Sequence, residues 1–377
     1  MKDLFNLDKS VTFLNHGSFG ACPKPVMEKY REYQWELEKQ PVEFIARRSN
    51  AMLRESRKVL GDFLNCNSED FVFVSNTTLG LNIVAYSLDL KAGDEILSTD
   101  IEYGAAERMW QIVCERKGAK FVRSQISQPI LNEETFTQEI LKNYNSRTKI
   151  LFLSHITSTT AQLLPIEKIV KFAKEKGLLV VIDGAHAPGH IPLNLETSNY
   201  DFYVGNCHKW LMSPKGAAIL YAKPEVQKLL KPFIISWGNL NKDLTGNEFI
   251  KEYDFLGTND ISAYLAVKDA VLFHKKYVTP EAKRNITELL NYAKTGLCEI
   301  FKTEPIVPKI DEDIMFYAQL LPKSIDPVHL KNSLYDKYKI ELPMTYANDK
   351  YYIRISLHIY NDKADVDFLL NALREIV

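Results

Sequence analysis

Residues 70–222 alternate between short apolar runs and amphipathic helical stretches, and this alternation constrains the fold more than any other feature of the chain. Runs rich in β-branched and aromatic residues predict strands at 71–74, 95–97, 120–122, 150–153, 178–182, 201–204 and 217–221. The stretches 105–117 and 166–176 have helical spacing and are followed by Gly118 and Gly177, which suit left-handed helix ends. Because apolar strands that alternate with helices are buried on both faces, we predict an α/β fold with a mostly parallel sheet flanked by helices.

The rest of the chain has a different pattern of predicted helices and strands. At 377 residues the chain is long enough for two domains. After residue 256 come long helical stretches at 261–277 and 280–301, and then short strands separated by prolines. We therefore predict a large α/β domain at 21–256 and a smaller α+β domain formed by 1–20 and 257–377.

Charge and cysteine usage exclude several classes of protein. The net charge is −1, so no excess of positive charge indicates a nucleic-acid partner. The five cysteines are an odd number without a C-x-x-C pair, which is typical of reduced thiols. Residues 1–6 lack the features of a signal peptide, and no apolar stretch reaches the roughly 20 residues that span a bilayer. We expect a cytoplasmic protein that binds neither nucleic acid nor membranes.

Polar clusters follow several of the predicted strands, where ligands collect in sheets of this kind. Asn76, Thr77 and Thr78 open a helix after the first strand, and they either cap that helix or bind a phosphate at its N-terminus. Asp183 follows five apolar residues, and a buried carboxylate is costly unless a cation meets it. We therefore expect a bound cation or a protonated ring nitrogen beside Asp183.

Lys209 follows the strand 201–204 in an apolar, aromatic setting, whereas most lysines are solvated on the surface. A lysine in such a place can have a lowered pKa and form a Schiff base. His186 and His190 are four residues apart, as in some zinc sites, but the intervening Pro188 and Gly189 disfavour the helix that would direct both at one metal. We therefore expect no metal site.

These clusters resemble those of a known enzyme family over residues 14–361. The matching segments are 14–18 (LNHGS), 76–78 (NTT), 102–105 (EYGA), 154–158 (SHITS), 183–189 (DGAHAPG), 206–210 (NCHKW), 257–260 (GTND) and 354–356 (RIS). In combination they resemble the class V aminotransferase family of fold-type I enzymes dependent on pyridoxal 5'-phosphate (PLP), and within it the isopenicillin N epimerase-like branch. The resemblance implies the fold-type I architecture.

The resemblance also implies how PLP is held. Lys209 would form the Schiff base with PLP, and Asp183 would pair with the pyridinium nitrogen so that the ring can accept electrons. The other implied cofactor contacts are the phosphate ligands Asn76, Thr77, Thr78 and His208, with Thr258 from a second subunit; Tyr103, which stacks on the ring; and His186 and Ser158, near the ring hydroxyl. The implied catalytic set is Lys209, Asp183, His186 and Tyr103, in a homodimer with its active site at the subunit interface.

For the substrate, the resemblance implies an amino acid. Arg354 would bind its α-carboxylate through a bidentate guanidinium, and Asn15, His16 and Gly17 would line the entrance. Arg47 either meets an acidic substrate side chain or lies on a solvated helix face.

The possible reactions share their first steps: the amino acid replaces Lys209 on PLP, and the freed Lys209 then removes the α-proton. Epimerisation or racemisation, transamination and β-elimination by a C–S lyase all remain open. A persulfide-forming cysteine desulfurase is disfavoured because no cysteine follows Cys298, and Cys207 is more suited to packing than to catalysis. Two other classes are a metal-dependent α/β hydrolase that uses His186, His190 and His208, and a scaffold without activity.

Overall fold

The strands of the described residues fall into three sheets. In the computed structural model, which describes residues 1–240 and 246–377, the strands are β1 (Thr12–Phe13), β2 (Phe71–Val74), β3 (Glu95–Thr99), β4 (Lys120–Ser124), β5 (Thr148–Ser154), β6 (Leu179–Asp183), β7 (Phe202–Asn206), β8 (Ala218–Ala222), β9 (Phe316–Leu320), β10 (Ile340–Glu341), β11 (Met344–Ala347) and β12 (Lys350–Ser356). The largest sheet has seven strands in the order β2-β8-β7-β6-β5-β3-β4.

Helices surround this sheet and form much of the rest of the described chain. They are α1 (His16–Phe19), α2 (Lys24–Lys39), α3 (Ser49–Leu64), α4 (Thr77–Ser87), α5 (Gly104–Lys117), α6 (Glu133–Leu141), α7 (Glu167–Glu175), α8 (Pro224–Gln227), α9 (Glu248–Asp254), α10 (Ser262–Leu265), α11 (Val267–Tyr277), α12 (Pro280–Phe301), α13 (Pro327–Tyr338) and α14 (Lys363–Ile376). A π-helix, Glu43–Arg48, precedes α3. The single helix predicted at 261–277 is two helices, because the backbone of Ala266 (ψ −4°) interrupts it.

The large sheet is mostly parallel, as predicted. Strands β7, β6, β5, β3 and β4 pair in parallel, whereas β8 runs antiparallel to both of its neighbours, β2 and β7. Alternate residues of one strand enter two different apolar clusters: Leu151 and Leu153 belong to one, and Ile150 and Phe152 to the other. Both faces of the sheet are therefore covered, which explains why its strands read as continuous apolar runs.

Local sequence signals end and begin the helices of this sheet. Gly118 and Gly177 have φ values of +68° and +71°, the left-handed conformation predicted for the residues after α5 and α7. Asn76 caps α4, with its side-chain oxygen accepting from Leu79 N. The two glycine turns lead into the amino ends of β4 and β6, so the carboxyl ends of these parallel strands lie at the opposite edge of the sheet.

The two smaller sheets connect the N-terminal residues to the C-terminal part of the chain. Strands β11, β12 and β9 form an antiparallel sheet that carries Arg354 on β12, and β1 pairs in parallel with β10. Asn15 forms an isolated bridge with Ser356. This pairing is compatible with the predicted division at 21–256, which stays a prediction. In the part of the chain that the structure describes, no helix is long and apolar enough to cross a membrane.

Candidate active site

A cavity of about 260 Å³ lies at the carboxyl ends of the parallel strands. Ser154 ends β5, Asp183 ends β6 and Asn206 ends β7, and all three line it. This is the edge at which α/β sheets usually bind ligands. The predicted site residues that line the cavity are Gly17, Asn76, Thr77, Thr78, Tyr103, Ser158, Asp183, His186, His208, Lys209 and Arg354.

Two predicted residues from the N-terminal loop lie behind the cavity lining. Asn15 is buried, and its Nδ2 donates to Glu341 Oε1 at 3.1 Å. His16 is fully buried, and its Nε2 lies 3.1 Å from the backbone oxygen of Lys209. In the described chain these side chains support the cavity wall, and Gly17 is the residue of this loop that reaches the cavity.

Arg47 and Thr258 also lie outside the lining of the described chain. Arg47 is exposed in the π-helix, where its guanidinium pairs with Glu43 at 2.8 Å. This exposed ion pair is compatible with a solvated helix face, and a contact between Arg47 and an acidic substrate side chain stays a prediction. Thr258 is exposed in the segment after α9. Its predicted contact requires a second subunit, so it stays a prediction.

Lys209 faces the cavity with a hydrogen-bonded histidine beside it. Its Nζ lies 3.0 Å from His186 Nε2, and Trp210 Nε1 donates to His186 Nδ1 at 3.1 Å. Burial lowers the pKa of Lys209 to about 7, since the charge of Asp183 only partly offsets the loss of solvent and Arg354 adds repulsion. Near neutral pH, much of this lysine is the uncharged amine, which is the nucleophilic form.

Two buried acids lie near the carboxyl ends of the parallel strands, and the charge of one of them, Asp183, acts on Lys209. Asp183 is 3% exposed and its Oδ1 accepts from Ala185 N at 2.9 Å. Glu102 Oε2 accepts from both the backbone N and the hydroxyl of Ser154, the register partner of Asp183. Burial raises the pKa of Asp183, and it raises the pKa of Glu102 to about 8. A cationic ligand group beside Asp183 would favour its ionised form.

The N-terminus of α4 forms another wall of the cavity. Thr77 N donates to Asn206 Oδ1 at 3.0 Å, whereas the buried Thr77 hydroxyl has no hydrogen-bond partner within the described residues. Asn76 and Thr78 are exposed towards the cavity on either side of Thr77. Backbone N–H groups and hydroxyls at a helix N-terminus bind anions, and an unpartnered hydroxyl is suited to a phosphate oxygen.

His208 lines the cavity near Lys209. Its Nδ1 donates to Ala217 O at 3.1 Å, so its Nε2 is the ring nitrogen left for another partner. Burial, together with the charges of Lys209 and Lys215, lowers the pKa of His208 to about 4. A phosphate nearby would favour the protonated ring, in which both nitrogens are donors.

Arg354 is a buried cation that also lines the cavity. Its Nη1 donates to Ser158 O at 2.5 Å and to Ser158 Oγ at 3.2 Å, and its Nη2 donates to Ser18 Oγ at 2.9 Å. Its Nε has no hydrogen-bond partner among the described residues. No aspartate or glutamate of the described residues forms an ion pair with this guanidinium. The guanidinium lies 5.7 Å from the centre of the Phe316 ring. A carboxylate is the ligand that best matches a desolvated guanidinium.

Some contributors to the site were not assigned a role from the sequence. Ser18 holds Arg354, Asn206 holds the first turn of α4, and Trp210 contacts His186. Each is adjacent to a predicted residue or lies within a recognised segment. Their position in those segments was the sequence signal that could have identified them. The residues they contact are distant in sequence, so these contacts could not be deduced from the sequence.

The histidines of segment 183–190 are bonded within the protein. His190 Nδ1 contacts His186 O at 2.9 Å, and its Nε2 accepts from Met315 N at 2.7 Å. Both nitrogens of His190 therefore have protein partners. No group of three or more His, Cys, Asp or Glu side chains among the described residues is placed to hold a metal ion.

Comparison with known proteins identifies the family. A sequence profile of the class-V aminotransferase family matches residues 13–369, which is most of the chain. The protein belongs to the class-V aminotransferase family. Isopenicillin N epimerase of Amycolatopsis lactamdurans is 30% identical over 388 aligned residues that cover 100% of this chain and 97% of the relative. L-cysteine desulfhydrase of Arabidopsis thaliana is 26% identical, with 97% of this chain and 88% of the relative covered.

Solved structures agree with the class-V fold. A mutant of the cystine C–S lyase C-DES, with glycine covalently linked to its PLP cofactor, has a TM-score of 0.88 and 21% identity, covering 100% of this chain and 99% of the other. The apo cysteine desulfurase of Thermococcus onnurineus NA1 has a TM-score of 0.84 and 22% identity, covering 100% and 97%. The predicted fold-type I architecture, family and PLP cofactor are confirmed, and the protein is a PLP-dependent class-V enzyme.

The residues at the cavity fit PLP. The buried Asp183 carboxylate suits a protonated ring nitrogen, the unpartnered Thr77 hydroxyl suits a phosphate oxygen, and the Lys209 amine with its lowered pKa suits an aldehyde. These three residues line one cavity, which a single ligand with a ring nitrogen, a phosphate and an aldehyde requires.

Proposed function

We propose that this enzyme uses PLP held by Lys209 to exchange the α-proton of an amino acid, as an epimerase or racemase. The observation that carries the proposal is the presence, around one cavity, of a lysine amine with a pKa of about 7 and a buried arginine that no described acid neutralises. An amino acid brings a group for each: an α-proton for the amine and a carboxylate for the guanidinium.

Besides Lys209, five residues would bind the ring nitrogen and the phosphate of the cofactor. Asp183 would keep a proton on the ring nitrogen, and the phosphate would be bound by Asn76, Thr77, Thr78 and His208. Tyr103 also lines the cavity, and its exposed ring is available for stacking on the cofactor. When bound, PLP supplies an electrophilic aldehyde and a ring system that delocalises the electron pair left at Cα.

Arg354 would orient the substrate. Ser18 and Ser158 hold the guanidinium by hydrogen bonds, and Phe316 lies beside it, so the group is fixed before a ligand arrives. Binding the carboxylate at a fixed point restricts the rotation of the amino acid and directs its Cα–H bond. A preorganised guanidinium loses little conformational freedom on binding.

Lys209 would move the proton. Its uncharged Nζ would accept the α-proton, and a hydrogen bond from His186 Nε2, 3.0 Å away, would hold the amine in place before the transfer. Return of the proton to the same face regenerates the substrate, whereas proton delivery from the opposite face inverts Cα. The 30% identity to an isopenicillin N epimerase across nearly both full lengths supports inversion as the first candidate, and transamination is the related outcome to be tested beside it.

A β-eliminating C–S lyase is the second candidate, because one relative is an L-cysteine desulfhydrase and two others are described as a probable and a putative L-cysteine desulfhydrase. The cysteines limit which form of this chemistry is proposed. All five lie in the described residues and none lines the cavity. Cys207 is fully buried, which raises its thiol pKa far above the ordinary value, and Cys298 lies on α12. We therefore propose elimination with release of a free thiol or sulfide, without an enzyme persulfide.

Incubation of the PLP-loaded protein with L- and D-amino acids in deuterated water distinguishes these reactions. Deuterium at Cα with conversion between the enantiomers supports the epimerase. Pyruvate with sulfide or thiol supports the lyase, and amine transfer to a keto acid supports the aminotransferase. Lys209→Ala is the control and should abolish all of them. Absence of α-deuterium from every amino acid, in protein that has taken up PLP, would refute the proposal.

We further propose that a second copy of this chain completes the site and that the enzyme is cytoplasmic. Thr258 is exposed outside the cavity lining, as a residue that serves a partner's site would be. Apolar side chains are exposed at Phe233, Ile235 and Trp237, which supports a protein interface there. The five free cysteines are compatible with a reducing compartment. Sedimentation analysis of wild-type protein tests the dimer.

A further inference from the structure

Trp210 determines which nitrogen of His186 carries the proton. The indole Nε1–H is a donor only, so His186 Nδ1, 3.1 Å away, has to accept and is unprotonated. A neutral imidazole with an unprotonated Nδ1 carries its proton on Nε2. That Nε2–H lies 3.0 Å from Lys209 Nζ, and the hydrogen bond between them forms when Nζ offers a lone pair.

We propose that Trp210 is a positioning residue: it fixes His186 as the Nε2–H tautomer, and His186 thereby holds Lys209 as the neutral amine. This inference rests on the proposed role of Lys209 as the group that binds PLP and moves the proton. It adds that the state of the lysine is set by a tryptophan that does not line the cavity in the described chain.

The indole is held rigidly in the donating position. Trp210 is fully buried, stacks on His190 with ring centres 3.9 Å apart, and meets the Phe316 ring edge-on at 5.3 Å. His190 is fixed in turn, because Met315 N donates to its Nε2 and its Nδ1–H donates to His186 O. The backbone of His186 is thus held at its oxygen, and the ring cannot turn without breaking the contact between Nδ1 and Trp210.

Burial favours the neutral imidazole. Complete burial holds the pKa of His186 well below the ordinary value, and the charge of Arg354, with that of Lys209 whenever the lysine is protonated, lowers the pKa further. His190 also faces His186, as a neutral ring bonded through both of its nitrogens. A doubly protonated ring would also place an N–H against the Trp210 N–H, a donor against a donor. The neutral Nε2–H form is the state that satisfies both hydrogen bonds.

Removing the indole N–H frees His186 to use its other tautomer. In Trp210→Phe the aromatic stack on His190 is kept, but Nδ1 loses its donor. His186 can then carry its proton on Nδ1 and accept at Nε2 from a protonated lysine, which stabilises the ammonium form. We expect the pKa of Lys209 to rise by about one unit, a tenfold fall in the neutral fraction at pH values below the wild-type pKa.

Trp110→Phe is the matched control. Trp110 is also fully buried and packs on an aromatic ring, Phe152, but its indole nitrogen has no hydrogen-bond partner among the described residues. The control therefore removes the same atoms from a buried tryptophan without touching His186.

The test uses the full-length chain without cofactor and has two readouts. Nitrogen-15 NMR of labelled histidines reports the tautomer of His186, assigned by the loss of its signals in His186→Gln. Competitive acetylation followed by mass spectrometry reports the protonation of Lys209 against pH. The expected result is an Nε2–H tautomer in wild type and in Trp110→Phe, a changed tautomer population in Trp210→Phe, and a raised Lys209 pKa in that variant alone.

An Nδ1–H tautomer in the wild-type protein overturns the proposal, and this spectrum decides the matter even where Trp210→Phe does not fold. Equal Lys209 titrations in the two tryptophan variants overturn it as well. Because both readouts come from cofactor-free protein, they are independent of whether the loaded enzyme exchanges α-protons, and failure of the proposed function is recognised separately.

Discussion

Arg354→Met should separate recognition of the substrate carboxylate from stability of the fold. A guanidinium has five N–H donors. Within the described residues, three of them are used: two on Nη1 towards Ser158 and one on Nη2 towards Ser18. Among the described residues Nε has no partner and Nη2 has one partner for its two N–H groups, and Nε and Nη2 together form the side-on fork that matches a carboxylate.

The magnitude follows from those two donors. A hydrogen bond to a charged group contributes about 1.5–3 kcal/mol, so losing two costs at least about 3 kcal/mol, which is more than a hundredfold in affinity. Stability should change far less. Arg354 is 3% exposed and no described acid pairs with it, so its removal relieves a desolvated charge while it deletes the bonds to two serines. We expect the melting temperature to move by only a few degrees.

The assay compares two ligands on PLP-loaded protein. One is an amino acid and the other is the amine that lacks only its carboxylate, with the cofactor absorbance as the signal. Wild type should prefer the amino acid by about a hundredfold or more, and Arg354→Met should bind both as weakly as wild type binds the amine. Arg47→Met, which changes an exposed arginine outside the cavity, is the control and should keep the preference. A variant at Arg354 that retains the preference, or that loses amine binding equally, would refute the reasoning.

Four further outcomes are expected. Asp183→Asn should still take up PLP but exchange α-protons at least about tenfold more slowly by NMR, since it loses one charge-assisted bond of about 1.5 kcal/mol; unchanged exchange would contradict this. Because the pKa of Lys209 is about 7, covalent uptake of PLP by cofactor-free protein should rise about tenfold from pH 6 to 8 and then level off, as the neutral fraction does; a rate that still climbs above about pH 9 would indicate an ordinary lysine. Gly184→Ala should destabilise the fold by about 1–3 kcal/mol in urea titration, because the added Cβ overlaps the buried ring of Tyr203. Cys207→Ala should leave any sulfide release unchanged, and loss of release would argue for a persulfide.

Much of the fold could be predicted because its signals are local. Each predicted strand from 71–74 to 217–221 overlaps a strand of the large sheet, and Gly118 and Gly177 adopt the left-handed conformation that ends their helices. Strand burial, helix spacing and turn chemistry depend on residues close together in the chain. The break at Ala266 did not follow from the apolar spacing, which continues through it.

The candidate site could be predicted in part. Asp183 and Lys209 were recognisable because a charged residue directly after a buried strand is unusual and because the surrounding segments resemble a known family. The same reasoning placed Asn15 and His16 at the entrance, whereas in the described chain they lie behind the lining, bonded to Glu341 and to the backbone of Lys209. A motif identifies a segment, but it does not say which of its side chains faces the ligand.

The sequence by itself determined the α/β architecture and the family, and it supplied the candidate residues for the chemistry, because these depend on local pattern and residue type. The tertiary structure decided the protonation and the position of these residues. The pKa of Lys209 is lowered by burial, the proton of His186 is directed by Trp210, and Arg354 reaches the cavity through a strand 145 residues further along the chain than Lys209. Desolvation and hydrogen bonding act through space, so they exist only once distant segments have packed together.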